Sequence, residues 1–557
     1  MSKKLTKVLS VILAAAFILT LAACSTNNGK DTTASTTAAA TTAAATTAAA
    51  TTAAATTTDA TTAAGTGDLD AVTLTWYNAS GAFAPDAGEN RLKVADHLNT
   101  MFQEKINATV DYKWWGSAEY AQNATAALSA GQPMDVLFTS ITNLPFGVWY
   151  NRGAFAPITD LLKEYAPITY SSIPEYVWNG ASVKGEIYAM PTYKDVAVTM
   201  GLIYNKSMME ELGMEEELLG IKWSVAKELD EFYYKVRDAR DAAHPEYVKD
   251  KIPLNILRDT LHIYFEADQL SSLAYNSIPG TPSFVEDEYA NGTKVFNVYA
   301  SQEYADAIKL VTKWVTDGIV PYDQRNWDTE GVIRNSGKMF SRYTWGLVAV
   351  DENQYENYKQ GLIQPTVAFT YTGYIQAVMQ AIAAASENKE RAMMLMELVF
   401  SDVDVSTTLR FGIEGEYWKR VQVDGKDRVD FKGTLNENKE TRGTDGFYLW
   451  YHAEQGNLFT CLLPVEQDSN FFVYLDQMNQ SAAASPSMGF VVDNTAIENE
   501  VSACASVIAE YNTDLITGMV TDVDARLADF AKKLNDNGAE KIVAEVQSQL
   551  DAWRAEQ

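Results

Sequence analysis

"GEIYAMPTYKDVAVTMGLIYNKSMMEELG" (residues 185–213) is the stretch whose reading decides the fold. An apolar strand reaches Pro191, breaks into the polar run Thr192, Tyr193, Lys194 and Asp195, and resumes as a second strand through Ile203. Ser207 with Glu210 has the spacing of a capping box at the start of the next helix. Two strands joined end to end by a short polar break suit a crossing between two lobes. A single hairpin is the other arrangement that this spacing permits.

Upstream, strands and helices alternate. Residues 72–77 read as a strand, and Val94, Leu98, Met101, Phe102 and Ile106 then share one helical face. Residues 108–112 form a second strand, Ser117 can cap a helix that stops at Gly131, and residues 135–138 form a third strand. Thr159 opens another helix. Repeated strand–helix–strand units predict an α/β fold with a parallel or mixed sheet covered on both faces. Ligands of such sheets gather beyond the carboxyl ends of the strands, which here carry Trp76 and Tyr77, Trp114 and Trp115, and Thr139 and Ser140.

The amino terminus reads as an address and a leash. Lys3, Lys4 and Lys7 precede an apolar run over residues 8–23, interrupted by Ser10 and Thr20, which is short for a membrane span of about 20 residues. That is the anatomy of a secretory signal peptide, residues 1–23. Residues 24–68 follow as a Thr/Ala-rich linker, with TTAAA repeated three times unchanged over 41–55. It lacks the large side chains needed to offset the entropy of ordering, and β-branched threonine weakens the helix preference of alanine. As a flexible chain it would span roughly 35–40 Å, and about 150 Å fully stretched. Its hydroxyls are candidates for O-linked sugars on composition alone.

The remaining body, from about residue 70 to 557, is long enough for two or three domains. A net charge of −29 excludes nucleic acid as a partner and disfavours direct docking on anionic lipid. Cys461 and Cys504 are the only cysteines beyond Cys24. One pair in so large a body is no disulfide framework, and whether they bond stays open. Ile497, Val501, Cys504, Ile508, Tyr511 and Leu515, and then Val543, Val546, Leu550 and Trp553, recur in steps of three and four as amphipathic helices that pack on a lobe.

Residues 21–24, Leu-Ala-Ala-Cys, resemble a bacterial lipobox, which implies cleavage before Cys24 and a diacylglycerol on its thiol. Two acyl chains hold where one anchors only marginally. The body resembles the extracellular solute-binding proteins of ABC importers, in the maltose-binding-like branch. "GEIYAMP", the crossing and "GLIYNKSMMEELG" look like that family's first hinge, and residues 335–350 and 381–400 resemble its later landmarks. "FGIEGEYWKR" (411–420) is similar to the Gly-Ile-Glu-Gly motif of the LipO-like lipoprotein subgroup, as is the helical tail from residue 485 onward. The resemblance implies a two-lobed, type II periplasmic-binding-protein-like fold that closes by hinge bending. Lobe 1 is expected over 70–195 and 372–410, and lobe 2 over 196–371 and 411–557 with the C-terminal helices.

No catalytic constellation stands out. His97, His244, His262 and His452 are scattered without metal spacing, and no GxSxG elbow, P-loop or GxGxxG occurs. The pair Asp522 and Asp524 is too short for a calcium loop and reads as a helix cap. No catalytic residue, metal or cofactor is therefore expected. Binding chemistry is better supplied, because a sugar needs hydrogen-bonding groups around aromatic platforms. The candidates are Trp76, Tyr77, Trp115, Tyr193, Asp195, Trp345, Glu414, Tyr417 and Trp418. Core packing is the alternative role for each tryptophan, a surface turn for Glu414, and hinge support for Asp195.

The expectation is a monomeric protein, lipid-anchored on the outer face of a bacterial cytoplasmic membrane of Gram-positive type. It captures a solute, an oligosaccharide by preference, and delivers it to an ABC permease. Peptides or another solute are the alternative cargo, and a surface glycan-active enzyme is the alternative class.

Overall fold

A computed structural model describes residues 69–557 apart from 80–87, 142, 198–199, 224–225, 257–267, 270–278, 282–293, 322–331, 346–351, 353–354, 365–367, 440 and 450–455. The expected signal segment and linker, with Cys24 between them, lie outside the described residues.

The first sheet grows from Val72–Ala79 (β1), which pairs in parallel with Ala108–Trp115 (β2) on one side and Val136–Thr139 (β3) on the other. Met379–Ile382 adds antiparallel to β3, and Met190–Pro191 antiparallel to that. Side-chain alternation sends Leu74 and Trp76 to one face and Tyr77 to the other, so both faces need helices. Gly88–Ile106 (α1) covers the first with the expected stripe of Val94, Leu98, Phe102 and Ile106, with Met101 at its margin. Ser117–Ser129 (α2) covers the second through Tyr120 and Ala124. The expected serine cap is corrected: Ser117 is the first helical residue, and Gly116 stands in the cap position without a side-chain bond.

The quoted stretch is a crossing, because its two strands lie in different sheets. Met190–Pro191 edges the first sheet, whereas Met200–Asn205 runs antiparallel to Ser341–Trp345 and Gln360–Ile363 in a second, four-stranded sheet. Hairpin partners would share one sheet. The capping box is also corrected. Asn205 Oδ1 accepts the Met208 N–H at 3.0 Å and caps the helix Lys206–Leu212, while Ser207 Oγ accepts the Lys359 N–H at 2.9 Å. Asn205 meets the need of the orphan donors two residues earlier than the motif placed it. The second core gathers Leu202, Phe232, Tyr233, Trp314, Phe340 and Tyr343.

The carboxyl-terminal third divides differently from the expected boundary at residue 411. Phe411, Tyr417, Trp418, Val429, Phe431 and Phe447 join the core of the first lobe, alongside Leu98 and Phe102. Burial decides this: these rings have nowhere else in the described chain to hide their apolar area. The helices Glu498–Ile516, Val523–Asp536 and Ala539–Ala555 pack on one another and on Tyr304 and Ile308 of the helix Gln302–Thr316, next to the second lobe. Ile497, Cys504, Ile508, Tyr511, Leu515, Val546 and Leu550 are buried there, as their spacing required. Asp522 accepts the Ala525 N–H at 3.0 Å and caps its helix. Cys461 and Cys504 are buried thiols that are not joined in a disulfide. Among the described residues no helix is long and apolar enough to cross a membrane.

Candidate functional site: the sheet edge and the hinge

The carboxyl ends of β1, β2 and β3 form a shelf beside the crossing. Strand order places Trp115, Ala79, Thr139, Met379 and Pro191 across it, a width of roughly 19 Å for four interstrand spacings. Trp115 closes β2 half-buried, leaning on Tyr77 with ring centroids 5.4 Å apart. Trp114 points to the opposite face, half-buried against Tyr112, with Arg91 over its ring at 5.7 Å. Asn78 stands opposite Trp114 in register and is 3% exposed. Asn78 Oδ1 and Trp114 Nε1 are both buried without a hydrogen-bond partner, as are Tyr112 OH and Gln380 Nε2. Each such group costs about 1–3 kcal/mol unless water or a ligand satisfies it. An acceptor beside a donor, flanked by indole rings, suits a hydroxyl that both donates and accepts.

The hinge adjoins this shelf. Lys194 and Asp195 are both buried and form an ion pair at 2.5 Å. The Tyr374 hydroxyl donates to Asp195 at 3.2 Å, and the Lys194 ammonium lies 5.5 Å from the centre of the Tyr374 ring. The Thr370 hydroxyl donates to the Val196 carbonyl, so the outward and returning crossings are fastened to each other. The returning crossing is fastened in turn to a third segment, where Phe369–Thr370 pairs in parallel with Ala483–Ala484. Among the described residues no group of three or more His, Cys, Asp and Glu side chains is placed to hold a metal ion.

The nine expected site residues fall into distinct places. Trp115 lies on the shelf. Trp76 is fully buried one layer below it, stacked on Tyr112, with its indole N–H donating to Gln380 Oε1 at 3.0 Å. Its expected place at a strand end is corrected, because β1 runs three residues further. Tyr77 supports Trp115 from within the core on the α2 face. Tyr193 and Asp195 belong to the crossing. Burial and the nearby Asp476 charge push the Tyr193 hydroxyl up to about 12, so it stays protonated. Trp345 ends its strand opposite Met200, and its side chain lies outside the described residues. Tyr417 and Trp418 are corrected to core residues: the Tyr417 hydroxyl donates to Asn90 Oδ1 at 3.0 Å and the Trp418 N–H to the Gly412 carbonyl at 2.7 Å. Glu414 sits in their exposed turn, paired with Arg420 at 3.2 Å. Asn78, Lys194, Tyr374 and Gln380 are the residues that sequence reasoning missed. Asn78 had a local signal, a lone amide at the end of an apolar strand.

Two lobes of α/β sheet, joined by fastened crossings beside an aromatic shelf, define the class of two-lobed binding proteins. The profile of the bacterial extracellular solute-binding proteins matches residues 90–404, and the chain belongs to that family. A domain of unknown function, DUF3502, matches residues 486–555. A carbohydrate ABC transporter substrate-binding protein of Streptococcus pneumoniae serotype 4 (strain ATCC BAA-334 / TIGR4) is 24% identical over 474 residues, 84% of this chain and 89% of the relative. The fold is similar to the crystal structure of the N-glycan transport solute binding protein NgtS from Streptococcus pneumoniae, with a TM-score of 0.67, 21% identity, and coverage of 86% of this chain and 98% of that one. NgtS in complex with Man5GlcNAc gives a TM-score of 0.59 at 20% identity, covering 87% and 98%. An HMO-binding, ABC-transporter-associated solute binding protein from Bifidobacterium longum infantis ATCC 15697 gives 0.57 at 15% identity, covering 87% and 99%.

Proposed function

We propose that this protein captures an oligosaccharide between its lobes and hands it to the permease of an ABC importer, without chemical change to the cargo. The observation that carries the sugar reading is the shelf itself, where the unpartnered Asn78 amide oxygen stands in register with the unpartnered Trp114 N–H on one face of the sheet edge and the Trp115 ring closes the other face. The names of the relatives point the same way. On this reading Trp115, Asn78 and Trp114 meet the glycan from lobe 1, Trp345 meets it from lobe 2, and closure adds the contacts through which the ligand biases the open–closed equilibrium. A diacylglycerol on Cys24 would tether the protein, as a monomer, to the outer membrane face, with residues 25–68 as the leash.

The test is a thermal-shift screen of the chain from Asp68 onward against oligosaccharides, monosaccharides, peptides and amino acids. A ligand at 100 times its Kd adds about 2.7 kcal/mol, a shift of a few degrees. A shift with one glycan class, recovered unaltered, supports the reading. Shifts with peptides alone, or recovery of a cleaved glycan, would overturn it.

A further inference from the structure

Where the outward crossing leaves the first sheet, residues 194–196 pair with no strand among the described residues. A side chain meets two of their backbone groups instead. Asn479, on the helix Phe471–Ser481, accepts the Val196 N–H on Oδ1 at 3.0 Å and donates from Nδ2 to the Lys194 carbonyl at 2.6 Å. The polarity of those two backbone groups fixes which way the amide points. They are the pair that one edge of a strand presents to a partner, so the amide occupies the place of a neighbouring strand around Asp195. Asn479 is 1% exposed, and its own carbonyl accepts the Tyr176 hydroxyl at 3.1 Å from the helix Glu175–Gly180 in lobe 1. The apolar face of the same helix, Phe471, Leu475 and Met478, packs on Ala197.

We propose that Asn479 is a positioning residue for lobe closure, a clamp that holds the crossing straight through Val196 and ties it to lobe 1. The clamp keeps 194–196 moving with the first lobe, so the change of direction during closure falls on the lobe-2 side of Val196. A buried amide suits this role because its two bonds are lost together when the backbone at 195 rotates. The idea rests on the closing, two-lobed reading above, but it is tested on the free protein and needs no cargo.

The experiment uses the full chain in a Cys24→Ser background, with spin labels at Asp160→Cys on lobe 1 and Lys222→Cys on lobe 2. Two readouts are taken: the interlobe distance distribution, and hydrogen exchange of the Val196 amide. Asn479→Ala is expected to speed exchange at Val196 at least tenfold and to broaden the distance distribution, with protection in β1 and in Glu498–Ile516 unchanged. Asn479→Asp keeps the acceptor for Val196 but turns a carboxylate oxygen on the Lys194 carbonyl, so it should broaden the distribution while Val196 stays protected. Tyr176→Phe, which removes the bond from lobe 1 to the Asn479 carbonyl but leaves the amide on the crossing, should broaden the distribution while exchange at Val196 stays as in the parent. Exchange at Val196 within twofold of the parent in Asn479→Ala, or an unaltered distribution in both Asn479 variants, overturns the proposal. If Asn479→Ala fails to fold, Asn479→Asp decides. A silent sugar screen would sink the cargo reading and leave this result standing.

Discussion

Asp195→Asn separates the two roles open to this carboxylate. The substitution keeps its size and an oxygen for the Tyr374 hydroxyl, but removes the charge opposite Lys194. Both partners are buried, at 9% and 2% side-chain exposure, so the ammonium loses its counter-charge where water cannot replace it. Removing one member of a buried pair costs about 3–5 kcal/mol. The Tyr374 ring beneath Lys194 acts in parent and variant alike, so it offsets none of this difference. For a lobe of this size the loss corresponds to about 6–20 °C in melting temperature. Scanning calorimetry measures the shift, and titration of a glycan found in the screen measures affinity. The double variant Lys194→Met, Asp195→Asn should recover most of the loss, because an apolar residue leaves no charge unpaired. A melting temperature within a degree or two of the parent, combined with abolished glycan binding, would refute the reasoning and make Asp195 a ligand contact.

Three further outcomes follow from particular residues. Trp115→Ala should weaken glycan binding about 5–30-fold by calorimetry with little change in melting temperature, whereas Trp76→Ala should cost about 3–5 kcal/mol in urea denaturation by emptying the core. Gly412→Ala should destabilise by about 1–3 kcal/mol in the same assay, because φ is +84° and the new Cβ would stand 2.7 Å from the Tyr417 ring. Burial, then the Glu500 charge, pushes the Cys504 thiol up to about 11. Its native thiolate fraction at pH 8 is therefore near 0.1%, and iodoacetamide should label it only after unfolding. The sign for stability follows: the folded thiol stays neutral while the unfolded one ionises above about 8.5, so its contribution falls as pH rises from there toward 11.

The elements of this chain were legible because their patterns are local. Val94, Leu98, Phe102 and Ile106 share a helix face, and a strand of residues 72–77 alternates, whatever lies above them. The crossing was legible too, since a polar break between two apolar strands has few uses, though only sheet membership excluded a hairpin. The resemblance gave an expected division into lobes, and the rings of 411–449 share the first core instead, because burial of apolar area is a contest among all surfaces. The strand-end position was legible at Trp115, the last residue of β2, and misread at Trp76, where β1 proved longer than its apolar run. Glycine spacing in "FGIEGEYW" announced a turn, but not that Tyr417 and Trp418 fill the core beneath it.

By itself the sequence determined a strand–helix alternation, a hinge-like break at 192–195, an acidic body and a Thr/Ala-rich tract after Cys24. Only the tertiary structure decided which polar groups lack partners at the sheet edge, that Lys194 and Asp195 satisfy each other, and that an amide 283 residues away holds the crossing. The reason is physical. Periodicity and turn chemistry act within a few residues, whereas burial and hydrogen-bond satisfaction are settled between segments that meet only once the chain has folded.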